Sequence, residues 1–159
     1  MGTHRLTRAE SVGLPPPTVA KLREAHATFR QGRDEVRSRR SASPEGEGLF
    51  GEEIYYESAI QEVGGDLICA LVRQGDEAEA SQALREYEGE LSAVRSERDE
   101  AIRAGFAYKG HRQELAERGV AWERALARLR KDIAAERRAA GPSFAQRLGR
   151  GIRHLAVRD

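Results

Sequence analysis

A chain of 159 residues suffices for one ordinary domain, but 33% of it is charged, 6% is aromatic and the mean hydropathy is −0.67. That balance excludes a thick-cored barrel or a doubly wound sheet and points to long, surface-rich helices. The formal net charge of +1 hides segregation: residues 49–75 sum to −4, 76–104 to −5, 105–140 to +4 and 141–159 to +3, blocks suited to charge-guided docking.

Residues 1–17 mix charge with Gly13 and the run Pro15-Pro16-Pro17, which reads as an extended arm. Residues 18–48 hold an N-terminal helix and a linker. Thr18 is placed to cap the helix, whose thin apolar face is Leu22, Ala25, Phe29 and Val36 and whose far end carries Arg33, Arg37, Arg39 and Arg40. Residues 49–75 are the most apolar segment. Tyr56, Ile60, Val63, Leu67 and Leu71 recur at helical spacing, although Gly64-Gly65 interrupts them and leaves a short strand over 67–72 as the weaker alternative.

Gly75-Asp76 marks a stop and restart, with Asp76 as N-cap and Glu79 three residues on. From there to residue 140 one heptad frame runs without a slip. Its a sites are Leu84, Leu91, Arg98, Gly105, Arg112, Gly119, Leu126 and Ile133, and its d sites are Tyr87, Val94, Ala101, Tyr108, Leu115, Trp122 and Leu129. A narrow apolar stripe on a long helix has to be covered by another helix, so an association seam is expected at Leu84, Tyr87, Leu91, Val94, Leu115, Trp122, Leu126, Leu129 and Ile133.

Residues 105–110, with two glycines, decide how that seam is used. Independent halves would share a frame only about one time in seven, and a helix restarting near His111 would lack a side-chain cap. Both points favour one continuous helix of about 65 residues, about 95 Å long. In a parallel homodimer of that helix Glu90 would face Arg95, Arg118 would face Glu123 and Asp132 would face Arg137. The opposing argument is that the first half is acidic and the second basic, so a hairpin would pair opposite charges. The expected fold class is therefore all-α: an extended helical or coiled-coil protein with a long C-terminal helix, or a helical hairpin bending near 105–110, and shorter N-terminal helices.

Residues 141–159 form a basic amphipathic tail, with Phe144, Leu148, Ile152 and Leu155 against Arg147, Arg150, Arg153 and Arg158. It is too short to be stable alone and is expected to dock on a partner.

Candidate chemistry is sparse. Gly46, Gly48 and Gly51 spell G-x-G-x-x-G, but a charged loop precedes them where a dinucleotide site needs a strand, so they read as linker. His4, His26, His111 and His154 are scattered, without metal-ligand spacing. Glu52, Glu53 and Glu57 beside Tyr55 and Tyr56 would suit acid–base work, yet on an amphipathic helix glutamates in solvent and tyrosines at core edges are commoner. Trp122 is expected to fill space left by Gly119. No catalytic residue, cofactor or metal is expected.

Cys69 is the only cysteine and reads as a small buried hydrophobe, which suits a reducing interior. No secretory signal follows Met1, and no stretch of about 18 apolar residues exists for a membrane span. The expectation is a cytoplasmic protein, or one within a large particle assembled there. Its expected role is that of a non-enzymatic helical structural or assembly protein, self-associating or joining a larger complex such as a virus particle or bacterial assembly. The alternative is a nucleic-acid-associated accessory protein using Arg33 to Arg40 and the stripe Arg124, Arg128, Lys131 and Arg138.

Overall fold

The computed structural model describes residues 15–42, 50–105 and 109–141. They form four helices: α1 (Val19–Ala42), α2 (Phe50–Gln74), α3 (Glu77–Ala104) and α4 (Lys109–Ala139). The ends follow local chemistry. Thr18 Oγ1 accepts the Lys21 amide at 3.3 Å and opens α1, and Asp76 Oδ1 accepts the Glu79 amide at 3.3 Å and opens α3. Gly75, at φ 82°, ends α2, with its amide on the Val72 carbonyl and the Asp76 amide on the Leu71 carbonyl, each at 3.0 Å. The run 67–72 is helical, and among the described residues there is no strand.

Helix α2 packs directly on α1, α3 and α4, and α3 packs on α4. Ion pairs show the directions: α3 and α4 are antiparallel through Glu88–Arg130 and Glu77–Arg137, whereas α2 and α4 run parallel through Glu57–Arg118 and Arg73–Glu136. The core is continuous through α2, α3 and α4. It holds Ile60, Leu67, Ile68 and Leu71 from α2, Tyr87, Leu91 and Val94 from α3, and Trp122, Leu126, Leu129 and Ile133 from α4. Burying side chains of this size contributes roughly 1.5–3 kcal/mol each. Helix α1 adds only Val19 and Leu22, with Phe29 packed against the same cluster.

Two glycines mark close approaches that the sequence pattern conceals. A Cβ on Gly32 would lie 2.4 Å from the Tyr56 ring, so α1 meets α2 there so closely that any side chain would displace that ring. Gly64 does not break α2: a Cβ on it would lie 3.2 Å from His26 Nε2 and 3.4 Å from the Tyr87 ring.

The continuous helix favoured over residues 76–140 is not formed. Gly105 takes φ +68°, donates to the Ile102 carbonyl at 3.3 Å and ends α3, and α4 returns antiparallel. Left-handed geometry is cheap for glycine, and the return lays acidic α3 along basic α4. The favourable homodimer pairings are replaced within the chain: Glu90 pairs with Arg33, Arg95 with Glu123, Arg118 with Glu53 and Glu57, and Arg137 with Glu77. Eight of the nine seam residues, Tyr87, Leu91, Val94, Leu115, Trp122, Leu126, Leu129 and Ile133, are buried in this single chain, and Leu84 is partly buried against them. Arm residues 1–14, Tyr108 and the tail from Pro142, including Phe144, Arg147, Leu148, Arg150, Ile152, Arg153 and Leu155, lie outside the described residues.

Candidate functional site

At the end of the bundle nearest Gly105, all four helices send charged side chains inward. Helix α1 supplies Arg37 and Arg40, α2 supplies Glu53 and Glu57, α3 supplies Glu97 and α4 supplies Arg118. Glu53, Glu57 and Arg118 are 0%, 3% and 4% exposed, which only mutual neutralisation permits.

Glu57 receives three bonds: Arg118 Nη2 donates to Oε1 at 2.6 Å, Arg118 Nε to Oε2 at 3.0 Å and Arg37 Nη2 to Oε1 at 3.0 Å. Glu53 Oε1 accepts from Arg37 Nε at 2.6 Å and Arg118 Nη2 at 3.2 Å, while its Oε2 lies 3.3 Å from Arg40 Nη2 in an ion pair. Glu97 closes the ring, 3.3 Å from Arg118 Nη1 and 3.5 Å from Arg40 Nη2. Burial alone would push the Arg118 guanidinium down. The hydrogen bond and charge of Glu57, with the charges of Glu97 and Glu53, outweigh it and hold the group above the usual arginine range. Three guanidinium groups thus meet three carboxylates, and the arrangement works as a lock on the helix ends.

A second row of charge ties α1 to α3, helices whose backbones do not touch. Arg23 bonds Glu79, Arg30 lies 3.7 Å from Glu86, and Arg33 grips Glu90 bidentately at 2.7 and 3.1 Å. Arg33 is 4% exposed. Desolvation pulls its pKa down, but the Glu90 hydrogen bond and charge more than restore it and leave it raised.

The acidic, aromatic group read from the sequence is divided among separate surfaces. Glu53 and Glu57 lie in the buried cluster, Glu52 pairs with Arg39 at 2.9 Å on the outside, and Tyr56 covers Gly32. Tyr55 stays 63% exposed beside Ile54. Trp122 is buried edge-on to Tyr87, with ring centres 5.1 Å apart, and the Tyr87 hydroxyl donates to the Gln61 carbonyl at 3.1 Å. The expected fit of Trp122 into space left by Gly119 does not occur, because a Cβ on Gly119 would meet open space. Cys69 is half-buried, and burial, followed by the charges of Asp132 and Glu136, pushes its thiol up to about 11. It is therefore a poor nucleophile at neutral pH.

Arg124, Arg128, Lys131 and Arg138 all lie exposed on α4. Unlike Arg130 and Arg137 on the same helix, none of the four makes an ion pair among the described residues. No helix here is long and apolar enough to cross a membrane, and no group of three metal-ligating side chains forms, both among the described residues. No known protein family, curated protein or solved structure matches the chain.

The buried arginines were not legible as such. Arg118 occupies a g site, where a charged residue at the edge of the seam is expected, and nothing local marks it for full burial. The one usable signal is that Glu53 and Glu57 share a helical face with Ile60 and Leu67, an apolar stripe continued by carboxylates.

Proposed function

We propose that this chain is a non-enzymatic helical assembly protein: a charge-locked bundle that presents its two ends of chain to partners within a larger complex. The observation that carries the reading is where α1 begins and α4 ends. Arg23 on the second turn of α1 bonds Glu79, and Arg137 near the end of α4 bonds Glu77 at 2.7 and 3.2 Å. Both therefore meet the start of α3, so the arm of residues 1–17 and the basic tail of residues 141–159 leave from one end of the bundle. Two linked docking segments acting together raise avidity by effective concentration without any new contact. The other end is occupied by the cluster around Arg118, whose carboxylates are engaged in holding helices.

The test compares the full chain with one ending at Gly141. The shortened chain should keep its helical content and melting temperature, yet lose co-purification with the complex from the cells that make the protein. Undiminished co-purification would remove the tail from the reading.

The second reading, a nucleic-acid accessory role, is favoured by one observation: Arg124, Arg128, Lys131 and Arg138 are exposed and make no ion pair among the described residues. Four phosphate contacts would give a log–log salt slope of about −3 to −4 on duplex DNA. Absence of binding at low salt would remove it.

A further inference from the structure

The heptad frame is continuous across a point where the helix is not. A hairpin places no demand on the phase of its second arm relative to its first, yet Leu84 to Val94 and Leu115 to Ile133 belong to one unbroken frame. Between α3 and α4 stand Gly105, Phe106, Ala107 and Tyr108, with no proline among them, and Tyr108 falls on a d site. What ends α3 is the left-handed Gly105, at φ +68°, where an added Cβ would meet nothing within 4 Å. The α3–α4 pairs Arg95–Glu123 and Glu88–Arg130 are both centred on residue 109, four residues past Gly105. Two continuous helices laid antiparallel about the same point would bring the same residues together.

We propose that α4 exchanges between two copies of this chain, α3 and α4 of each joining into one helix that pairs antiparallel with its counterpart. Each α4 then fills the place of its twin on the other copy's α2 and α3, so Trp122 meets the other copy's Tyr87 and Arg118 its Glu53 and Glu57. The partner is a second copy because the buried surface of α4 is already complementary to this bundle, and exchange is a low-cost route to a dimer. The waist tolerates it: Arg98 and Arg112, on a sites flanking Gly105, are exposed in the closed chain, and at the seam of the opened one their long side chains reach past it to solvent. The exchange rests on the assembly reading only in giving its self-association a geometry.

The test begins with Gly105→Ala in the full chain. A side chain is costly at left-handed φ and cheap in a helix, so the closed form should lose about tenfold per chain and the dimer constant should rise about a hundredfold. A folded Gly105→Ala variant that stays monomeric at every attainable concentration would overturn the proposal. A second measurement does not depend on that variant. With Cys69→Ser, Arg95→Cys and Glu123→Cys, protein refolded at high concentration is separated by size and oxidised. The dimer fraction should become covalently linked between chains and the monomer fraction within one. A dimer linked only within each chain, or no dimer at all, would overturn exchange while leaving tail-dependent co-purification as a separate question. An interchain-linked dimer that keeps every partner after tail removal would support exchange and count against the tail reading alone.

Discussion

The bundle holds its helices together in two different ways. Helices α2, α3 and α4 share an apolar core from Ile60 to Ile133; α1 joins it through Val19, Leu22 and Phe29 and packs on α2, and it is tied to α3 by the ion pairs of Arg23, Arg30, Arg33 and Arg40. Apolar burial barely responds to salt, and exposed ion pairs are worth about 0–1 kcal/mol each and are screened. The contrast teaches that α1 is joined to α2 by close packing and to α3 by charge, tightly where the charges are buried and loosely where they are not.

The largest effects should come from the shared core. Trp122→Ala, at 1% exposure, is expected to cost about 3–5 kcal/mol in denaturant unfolding, and Leu126→Asp should unfold the bundle. Intact folding of either would mean that the core is misassigned. Next comes the lock. Arg118→Met leaves Glu53 and Glu57 short of positive charge and should cost about 3 kcal/mol, a value that chemical denaturation reads directly. A smaller loss of about 1–3 kcal/mol is expected for Gly32→Ala, because a Cβ at 2.4 Å forces the Tyr56 ring to move. A neutral result there would place α1 farther from α2 than the structure does.

A pH effect separates α1 from the core more gently. Burial, then the charge of Arg30, lowers the pKa of His26, with Glu90 and Glu86 opposing and Arg33 assisting. The unfolded chain therefore binds the proton more readily, and stability should fall as pH drops below about 6.5, the unfolded value. The melting temperature should decline through that window, and His26→Asn should flatten the decline. An identical profile in the variant would exonerate the histidine. Smallest of all, Arg124→Asp on the outer face of α4 should change stability by no more than about 0.5 kcal/mol.

Much of this contrast was legible in the sequence, and its limits are physical. The caps at Thr18 and Asp76 and the stop at Gly75 follow from local chemistry and lie where the residues place them. The seam positions follow from periodicity, and Leu91, Trp122, Leu126 and their companions are buried. What covers the seam was not legible, because a hairpin and a continuous helix present the same stripe. Gly105 decides between them through a backbone angle that the residue type permits without requiring. Burial of Arg33 and Arg118 was hidden for a related reason: each is neutralised by carboxylates on a helix distant in sequence, so no window around it reveals the partner. Gly64 reads as a helix breaker until the approach of His26 and Tyr87 gives it a packing role.

The two modes of attachment predict two kinds of opening, which native-state amide hydrogen exchange resolved by helix reads most directly. Raising salt from about 0.05 M to about 1 M shortens the screening length from above about 10 Å to about 3 Å. It should speed exchange in the first half of α1, around Arg23 and Arg30, while leaving α2, α3 and α4 unchanged. Equal protection of α1 and the core at both salt concentrations would contradict the account.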